Sequence, residues 1–114
     1  MSQHNFRVYY EDTDAGGVVF YANYLKFIES GRTEYLRDLG FDQGKITKEK
    51  DIVFVVKSLS ADYLSPAYLD DMIQVQTNIK LTKNASLVFT QKILNLEKNT
   101  VLFNAEVKVV SVLK

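Results

Sequence analysis

The second half of the sequence alternates apolar and polar residues over long runs, and this pattern restricts the fold more than any other feature. In residues 73–81, Ile, Val, Thr, Ile and Leu fall on one face while Gln, Gln, Asn and Lys fall on the other. A period of two is typical of a β-strand with one buried face. Similar runs occupy residues 52–63, 86–96 and 100–113. We therefore expect four long strands, with the loop LSPAYLDD after the first and short hairpin turns, LTKNAS and EKNT, between the last three.

A helical pattern precedes these strands. From Asn23 to Leu39, apolar residues recur every three or four positions and charged residues occupy much of the other surface, which predicts an amphipathic helix. We expect Asn23 to cap it, or its first turn to begin at Val19, and Gly40 to end it in a left-handed conformation. Gly31 inside a helix costs about 1 kcal/mol relative to alanine, so we expect another backbone to approach closely there.

These elements predict a fold. With the segment FRVYY ahead of the helix, the order is strand, helix and four strands. Short turns cannot connect parallel neighbours, so the sheet should be largely antiparallel. The arrangement that satisfies this order is an α+β fold in which a long curved antiparallel sheet wraps around one central helix, the hotdog fold. We expect a single domain over residues 1–114, and a homodimer or homotetramer that covers the unpaired sheet edge.

Composition narrows the classes of function. The 14 basic residues cancel the 14 acidic residues, so no net positive field favours nucleic acid as a partner. The chain has no cysteine, which excludes disulfides, thiolate nucleophiles and thiolate metal sites. The first ten residues lack the apolar core of a signal peptide, and no apolar stretch approaches the roughly 20 residues that cross a bilayer. We expect a cytoplasmic protein without a membrane span.

The acidic turn, residues 11–17, is the candidate site. Glu11, Asp12 and Asp14 crowd together ahead of Gly16 and Gly17, between the first strand and the helix. The glycines allow a tight turn, after which the amides of the first helical turn point outward with partial positive charge. These amides would stabilise an anion that develops beside them, such as the oxygen of a thioester carbonyl under attack. A carboxylate opposite could act as a general base on water or as a nucleophile, and Asp14 is the candidate because it is nearest the glycines.

Other interpretations of these acids stay open at this level. Acidic residues beside a glycine turn are commonly solvated or cap a helix. A calcium loop matches at Asp12, Asp14 and Gly17, but its fifth and twelfth positions are Gly16 and Asn23, which do not fit the pattern. A phosphatase-like Asp-x-Asp site fits locally, but no doubly wound sheet can be drawn on this chain.

Three stretches carry a resemblance to a known family: RVYYEDTDAGGVVFYANYLKFIESGRTEYL, LSPAYLDDMIQVQT and SLVFTQKI. The chain resembles the YbgC-like acyl-CoA thioesterases, the Tol-Pal-associated branch of the 4-hydroxybenzoyl-CoA thioesterase family. The resemblance covers nearly the whole chain, and its Asp-x-Asp-x-x-Gly-Val-Val-aromatic segment is specific. It implies the hotdog fold, hydrolysis of acyl-CoA thioesters without metal or other cofactor, and an association with an envelope complex and with acyl carrier protein.

The resemblance also implies site residues, position by position. The family's catalytic aspartate falls on Asp14, and the backbone amide that polarises the thioester carbonyl falls near Tyr21. Relatives place coenzyme A contacts at the turn LTKNAS, which makes Lys83 and Ser86 candidates for the phosphate end. Tyr24 is close enough to the acidic turn to line the pocket, although a place in the core is the alternative.

One departure from the family supports a competing function. YbgC-like members often carry histidine where this chain has Tyr21; a main-chain donor survives that change, whereas an imidazole role does not. If the loss of histidine reflects a loss of chemistry, the chain would be a noncatalytic acyl-binding or scaffolding dimer. The histidine that remains, His4, is expected in a frayed N-terminus without a catalytic role.

Overall fold

The computed structural model describes residues 1–113, apart from the side chains of Gln43 and Ile46; Lys114, the last residue of the expected domain, lies outside the described residues. Within them the chain forms an antiparallel sheet and two α-helices, which confirms the α+β prediction. The elements are β1 Ser2–Arg7, α1 Asn23–Asp38, α2 Gln43–Lys50, β2 Ile52–Tyr63, β3 Met72–Lys83, β4 Ser86–Asn95 and β5 Thr100–Leu113.

The strand order across the sheet is β1-β3-β4-β5-β2, and every neighbouring pair is antiparallel. β3, β4 and β5 follow one another as hairpins, as their short connections predict. β2 pairs with β5 from Ile52 opposite Leu113 to Tyr63 opposite Phe103, with a bulge between Val56 and Ser58. Within the described chain, β2 is therefore an edge strand with one free side.

The helix α1 lies on the inner face of the sheet, against β1, β3 and β4. Their buried apolar side chains form the core, together with residues of β5 and the loops. Gly31 lies where β3 passes closest, since a Cβ there would be 2.5 Å from Val75 Cγ1 and 3.1 Å from Thr77 Oγ1. The predicted close approach at Gly31 occurs, but the side chains of β3 make it rather than a backbone.

The first strand lies earlier in the chain than predicted. β1 ends at Arg7 instead of covering residues 6–10, because Tyr10–Asp12 turns into a short 3-10 helix. His4 lies inside β1 opposite Val75, and its Nε2 is 3.0 Å from Asp38 Oδ2. The prediction of a frayed N-terminus was therefore wrong, since this segment is paired along its length with β3.

The start of α1 also differs from the prediction. The residue that caps α1 is Ala22, and Asn23 is its first helical residue. Val19 does not begin the helix, because it forms an isolated bridge with Thr13. Gly40 has a φ of 93° after the last turn, so the predicted left-handed end is confirmed.

The helix α2 was not predicted. It has eight residues and few apolar side chains, so its sequence carries little helical periodicity. Asp42 caps it, since its Oδ1 accepts a hydrogen bond from Lys45 N at 3.2 Å. Neither α1 nor α2, the helices of the described chain, is long and apolar enough to cross a membrane.

Candidate active site

The backbone of the acidic turn is held by short-range hydrogen bonds. Asp14 N donates to Val18 O at 2.9 Å, and Gly17 N donates to Asp14 O at 3.0 Å. Gly17 has a φ of 78°, a left-handed conformation that a side chain would strain. With the bridge between Thr13 and Val19, these bonds form a tight reversal that leads the chain into α1.

The Asp14 carboxylate is anchored through one oxygen and accessible through the other. Its Oδ1 accepts a hydrogen bond from Gly16 N at 2.8 Å, while the side chain is exposed. A Cβ at Gly16 would lie 3.3 Å from that oxygen, so glycine allows the contact. Within residues 1–113, Oδ2 has no hydrogen-bond donor. A carboxylate in this state can remove a proton from water or attack an electrophile.

Asp12, two residues before Asp14, is buried, and both of its carboxylate oxygens accept hydrogen bonds. It is 3% exposed, and its Oδ2 accepts from Tyr9 N at 2.9 Å while its Oδ1 accepts from Asn23 Nδ2 at 2.8 Å. Its main-chain oxygen accepts from Phe20 N at 3.0 Å. Asp12 therefore joins the turn to the first residue of α1, and its oxygens are not available to a substrate.

The chain between the turn and α1 presents main-chain donors. Among the described residues, the amides of Tyr21 and Ala22 have no hydrogen-bond acceptor, and both lie at the positive end of α1. Tyr63 Oη donates to Tyr21 O at 2.9 Å. Because that carbonyl and the Ala22 N–H share one planar peptide and point in opposite directions, this bond fixes the orientation of the N–H. No pattern in the sequence marked Tyr63 for this position.

Tyr24 forms a buried wall beside these donors. It is 3% exposed, its ring stacks on Phe103 and meets the edge of Tyr63, and its Oη accepts from Ala67 N at 3.0 Å. Burial raises the pKa of the Tyr24 hydroxyl, and the hydrogen bond from Ala67 only partly opposes this effect. The hydroxyl thus remains neutral and committed to the main chain.

A cavity of about 310 Å³ brings Tyr21 and Tyr24 together. Its walls are mainly aromatic and aliphatic, with Tyr63 and the following loop on the other side; the lining comprises Val19, Tyr21, Tyr24, Tyr63, Leu64, Ser65 and Pro66. Tyr24 therefore packs in the core and also lines a cavity, while its contact with a substrate stays a prediction.

Lys83 and Ser86 lie elsewhere. They face each other across the β3–β4 turn, where Ser86 Oγ donates to Lys83 O at 3.2 Å. Ser86 is opposite Val110 of β5, whereas Tyr63 on the cavity wall is opposite Phe103. The separation of seven residues along β5 corresponds to about 23 Å. Within one chain, the structure does not bring the two candidate coenzyme A residues to the acidic turn.

Known proteins are similar to the chain in sequence and in structure. The family model for the thioesterase superfamily matches residues 16–102. The acyl-CoA thioester hydrolase YbgC of Escherichia coli O6:H1 is 53% identical over 106 residues, 93% of this chain and 78% of that protein. The acyl-CoA thioesterase YbgC of Haemophilus influenzae is 49% identical over 107 residues, 93% and 76% of the two chains. The crystal structure of a probable thioesterase from Bartonella henselae matches with a TM-score of 0.92 at 33% identity, over 98% of this chain and 91% of that one.

Proposed function

This chain belongs to the thioesterase superfamily and hydrolyses acyl-CoA thioesters, and we propose that Asp14 is the carboxylate that carries the reaction. The predicted family and the hotdog fold are confirmed by these relatives. One observation supports the role of Asp14 above all. Its accessible carboxylate is held on a rigid turn in the same short segment that presents two unpaired amides at the start of α1.

Asp14 supports two forms of the reaction. As a general base, it removes a proton from water as the water oxygen attacks the thioester carbon, and the tetrahedral intermediate then expels the coenzyme A thiolate, which takes up the proton. As a nucleophile, it attacks the carbon itself and expels the coenzyme A thiolate, which leaves a mixed anhydride. Water then hydrolyses the anhydride, which releases the acid and restores the Asp14 carboxylate. A positioned base contributes roughly 100-fold to 10,000-fold to such a rate.

We propose that the main-chain amide of Tyr21 stabilises the thioester oxygen during the reaction. When water or the carboxylate attacks, negative charge develops on the thioester oxygen, and a fixed N–H at a helix N-terminus stabilises that charge. Removal of one such donor typically costs about 3 kcal/mol in the transition state. Tyr63 contributes indirectly, because its hydroxyl holds the adjacent peptide. The cavity beside Tyr24 then receives the part of the substrate next to the thioester.

We also propose that two copies pair along β2. This edge strand exposes apolar side chains, among them Val55, Val56 and Leu59, and a free edge of that kind favours pairing. A two-fold axis pairs β2 with its own copy in antiparallel order. Val55 and Ser86 are both opposite Val110 of β5, so they lie at the same end of the sheet. In the antiparallel pair, this end of one subunit meets the end of the partner's β2 that carries Tyr63. Lys83 and Ser86 of one subunit would thereby approach the acidic turn of the other and bind coenzyme A phosphates there.

The wider setting is also a proposal. The homodimer, or a homotetramer of two such pairs, would act in the cytoplasm. Acyl carrier protein presents the same pantetheine thioester as coenzyme A, so it is a second candidate substrate carrier. The association with the Tol-Pal envelope complex rests on the resemblance to the YbgC-like branch and on the identity with two of its members.

The test is a measurement of thiol release from short-chain, long-chain and aromatic acyl-CoAs, by the full chain and by Asp14→Asn. We expect hydrolysis by the wild type and little by the variant. Unchanged activity in Asp14→Asn would exclude the proposed role. A folded dimer that bound the esters without turnover would favour the noncatalytic alternative, against which the identity with acyl-CoA hydrolases already counts.

A further inference from the structure

The loop between β2 and β3 pairs with the part of the chain that directly follows the acidic turn. Tyr68 of this loop forms an isolated antiparallel bridge with Val18. Beside the bridge, Val19 N donates a hydrogen bond to Ala67 O at 2.8 Å. The loop therefore supports the turn through main-chain contacts, although the two segments lie far apart in the sequence.

Asp14 is connected to the same short segment. Asp14 N donates to Val18 O at 2.9 Å, and Thr13 forms a bridge with Val19. Val18 and Val19 thus lie between the part of the turn that carries Asp14 and the β2–β3 loop. Neighbouring extended segments that share main-chain hydrogen bonds keep a spacing of about 4.8 Å. A displacement of the loop is consequently transmitted to Asp14.

The half-buried Asp71 fixes the conformation of this loop. Its Oδ2 accepts a hydrogen bond from Tyr68 N at 2.9 Å, and its main-chain N donates to Tyr68 O at 3.1 Å. These two bonds close a turn in which Asp70 has a φ of 69°. A carboxylate that binds a main-chain N–H of its own turn stabilises that turn against other conformations. Asp71 thereby determines how Tyr68 meets Val18.

The turn between β4 and β5 holds the Asp71 carboxylate in place. Asn95 is 3% exposed, and its Nδ2 donates to Asp71 Oδ2 at 3.2 Å. Its Oδ1 accepts from Glu97 N and Lys98 N, both at 3.0 Å. Because Asn95 is the last residue of β4, the carboxylate is connected to the end of two long paired strands. Hydrogen bonds to a charged acceptor are stronger than those between neutral groups.

We propose that Asp71 is a positioning residue for the hydrolysis, which fixes the Asp14 carboxylate through Tyr68 and Val18. The inference rests on the proposed catalytic role of Asp14. Asp71 is not among the residues that line the cavity beside Tyr24, so it acts on the turn rather than on the substrate. A displacement of about 1 Å at a catalytic group can lower a rate about 100-fold. Support for the turn therefore bears on kcat.

The first half of the loop is held independently of Asp71. Leu64 N and Ser65 N donate to Leu102 O at 2.9 and 3.2 Å, and both residues line the cavity. The cavity wall should thus stay in place when the Asp71 carboxylate is removed. We expect kcat to fall while KM changes little. A residue that only stabilised the fold would change the folded fraction and leave kcat of the folded chain unaltered.

The experiment is steady-state thiol release at a temperature at which circular dichroism shows that every variant is folded. Asp71→Ala should lower kcat by roughly 10-fold to 100-fold and change KM by no more than about 2-fold. Asp71→Asn should restore kcat to within about 3-fold of the wild type, because both hydrogen bonds go to one oxygen, which an amide oxygen can replace.

Asp70→Asn is the matched control for the charge of the loop. It removes the neighbouring carboxylate, and asparagine tolerates the left-handed conformation of that position. We expect kcat within about 2-fold of the wild type, as for an ordinary surface substitution. A loss as large as that of Asp71→Ala would assign the effect to the negative charge of the loop and overturn the inference.

Asp71→Ala in the Asp14→Asn background tests whether Asp71 acts through Asp14. The remaining kcat should change by no more than about 2-fold, because effects within one functional unit are not additive. An equal factor in both backgrounds would overturn the inference, and so would full kcat in Asp71→Ala beside an inactive Asp14→Asn. Full thiol release by Asp14→Asn would instead overturn the proposed function.

Amide hydrogen exchange measures the support itself, independently of the chemistry. In Asp71→Ala the amides of Asp14 and Val19 should exchange at least about 10-fold faster, since local opening governs their protection. Amides between β3 and β4 should keep their wild-type rates. If Asp71→Ala does not fold, Asn95→Asp serves in its place, because it keeps an acceptor for the β4–β5 turn and removes the donor to Asp71. Unchanged exchange at Asp14 and Val19 in the folded variant would overturn the inference.

Discussion

Asp12 and Asp14 share one turn but occupy opposite environments. The Asp12 carboxylate is buried and accepts two hydrogen bonds that connect the turn to α1. The Asp14 carboxylate is exposed and accepts one, from the amide of Gly16. The same chemical group therefore stabilises the fold at one position and is available for chemistry two residues later.

The proposed role of Asp14 would need both kinds of acid in this turn. A catalytic carboxylate requires a free oxygen and a fixed direction, and the free oxygen must not be consumed by the bonds that fix it. In this turn the fixing is done by backbone hydrogen bonds and by Asp12, so Asp14 keeps one oxygen free. The buried residue thus maintains the geometry in which we propose that the exposed residue acts.

The largest expected effect is that of Asp14→Asn. The amide oxygen of asparagine can still accept the hydrogen bond from Gly16 N, but the side chain can no longer take a proton. We expect kcat for acyl-CoA hydrolysis to fall about 100-fold to 10,000-fold, while the free energy of unfolding changes by less than about 0.5 kcal/mol. Thiol release and urea unfolding on the same preparation measure the two quantities. A large loss of stability would mean that Asp14 shares the structural role of Asp12.

Asp12→Asn is the matched variant, and its effect should appear in stability. Asparagine offers one acceptor where aspartate offers two, so its NH₂ group must face either Tyr9 N–H or the Asn23 amide. An unpaired buried donor costs about 1–3 kcal/mol, which should lower the urea midpoint at an unchanged slope. At temperatures where the variant is folded, we expect more activity than in Asp14→Asn. Full stability together with lost turnover would reverse the two assignments.

The sequence predicts a tight turn with a catalytic acid at this place, and the catalytic role stays a prediction; it does not predict which acid of the turn is buried. Acids next to Gly16 and Gly17 at a strand–helix junction mark a tight turn near free helical amides, and that much follows from local chemistry. Which acid is buried depends on Asn23, eleven residues after Asp12, and on the path of the chain between them. Tyr63 could not be found at all, because its contact with Tyr21 joins residues 42 positions apart.

The secondary structure likewise contains elements that the sequence predicts well and elements that it does not. The strands β2, β3, β4 and β5 were predicted nearly to their ends, since period-two patterns over ten or more residues leave little ambiguity. β1 was predicted too late in the chain and α2 was missed, because side-chain bonds decide where β1 ends and where α2 begins. Asp12 turns the chain away from an extended path after Arg7, and Asp42 caps a helix with a weak apolar pattern.

Tyr63→Phe tests whether the amide donors at the start of α1 also depend on support from another residue. The change removes the hydroxyl that bonds Tyr21 O and keeps the aromatic contacts. A neutral hydrogen bond contributes about 0.5–1.5 kcal/mol, so we expect kcat to fall by roughly 2-fold to 12-fold with little change in KM. Tyr24→Phe is the control, because its hydroxyl bonds Ala67 N instead and its loss should lower stability rather than kcat. Equal effects on kcat in both variants would argue against a specific role for Tyr63.

The smallest expected effect is that of Tyr21→Ala, and it separates a main-chain role from a side-chain role. The Tyr21 side chain is 66% exposed and makes no hydrogen bond within residues 1–113. Since the proposed donor is the amide nitrogen, which alanine retains, kcat should change by no more than about 2-fold, as for an ordinary surface substitution. Tyr21→His should behave alike, because a main-chain donor does not depend on the identity of the side chain. A large fall in kcat for Tyr21→Ala that Tyr21→Phe restores would show that the aromatic ring contacts the substrate. Activity would then depend on the side chains of both Asp14 and Tyr21.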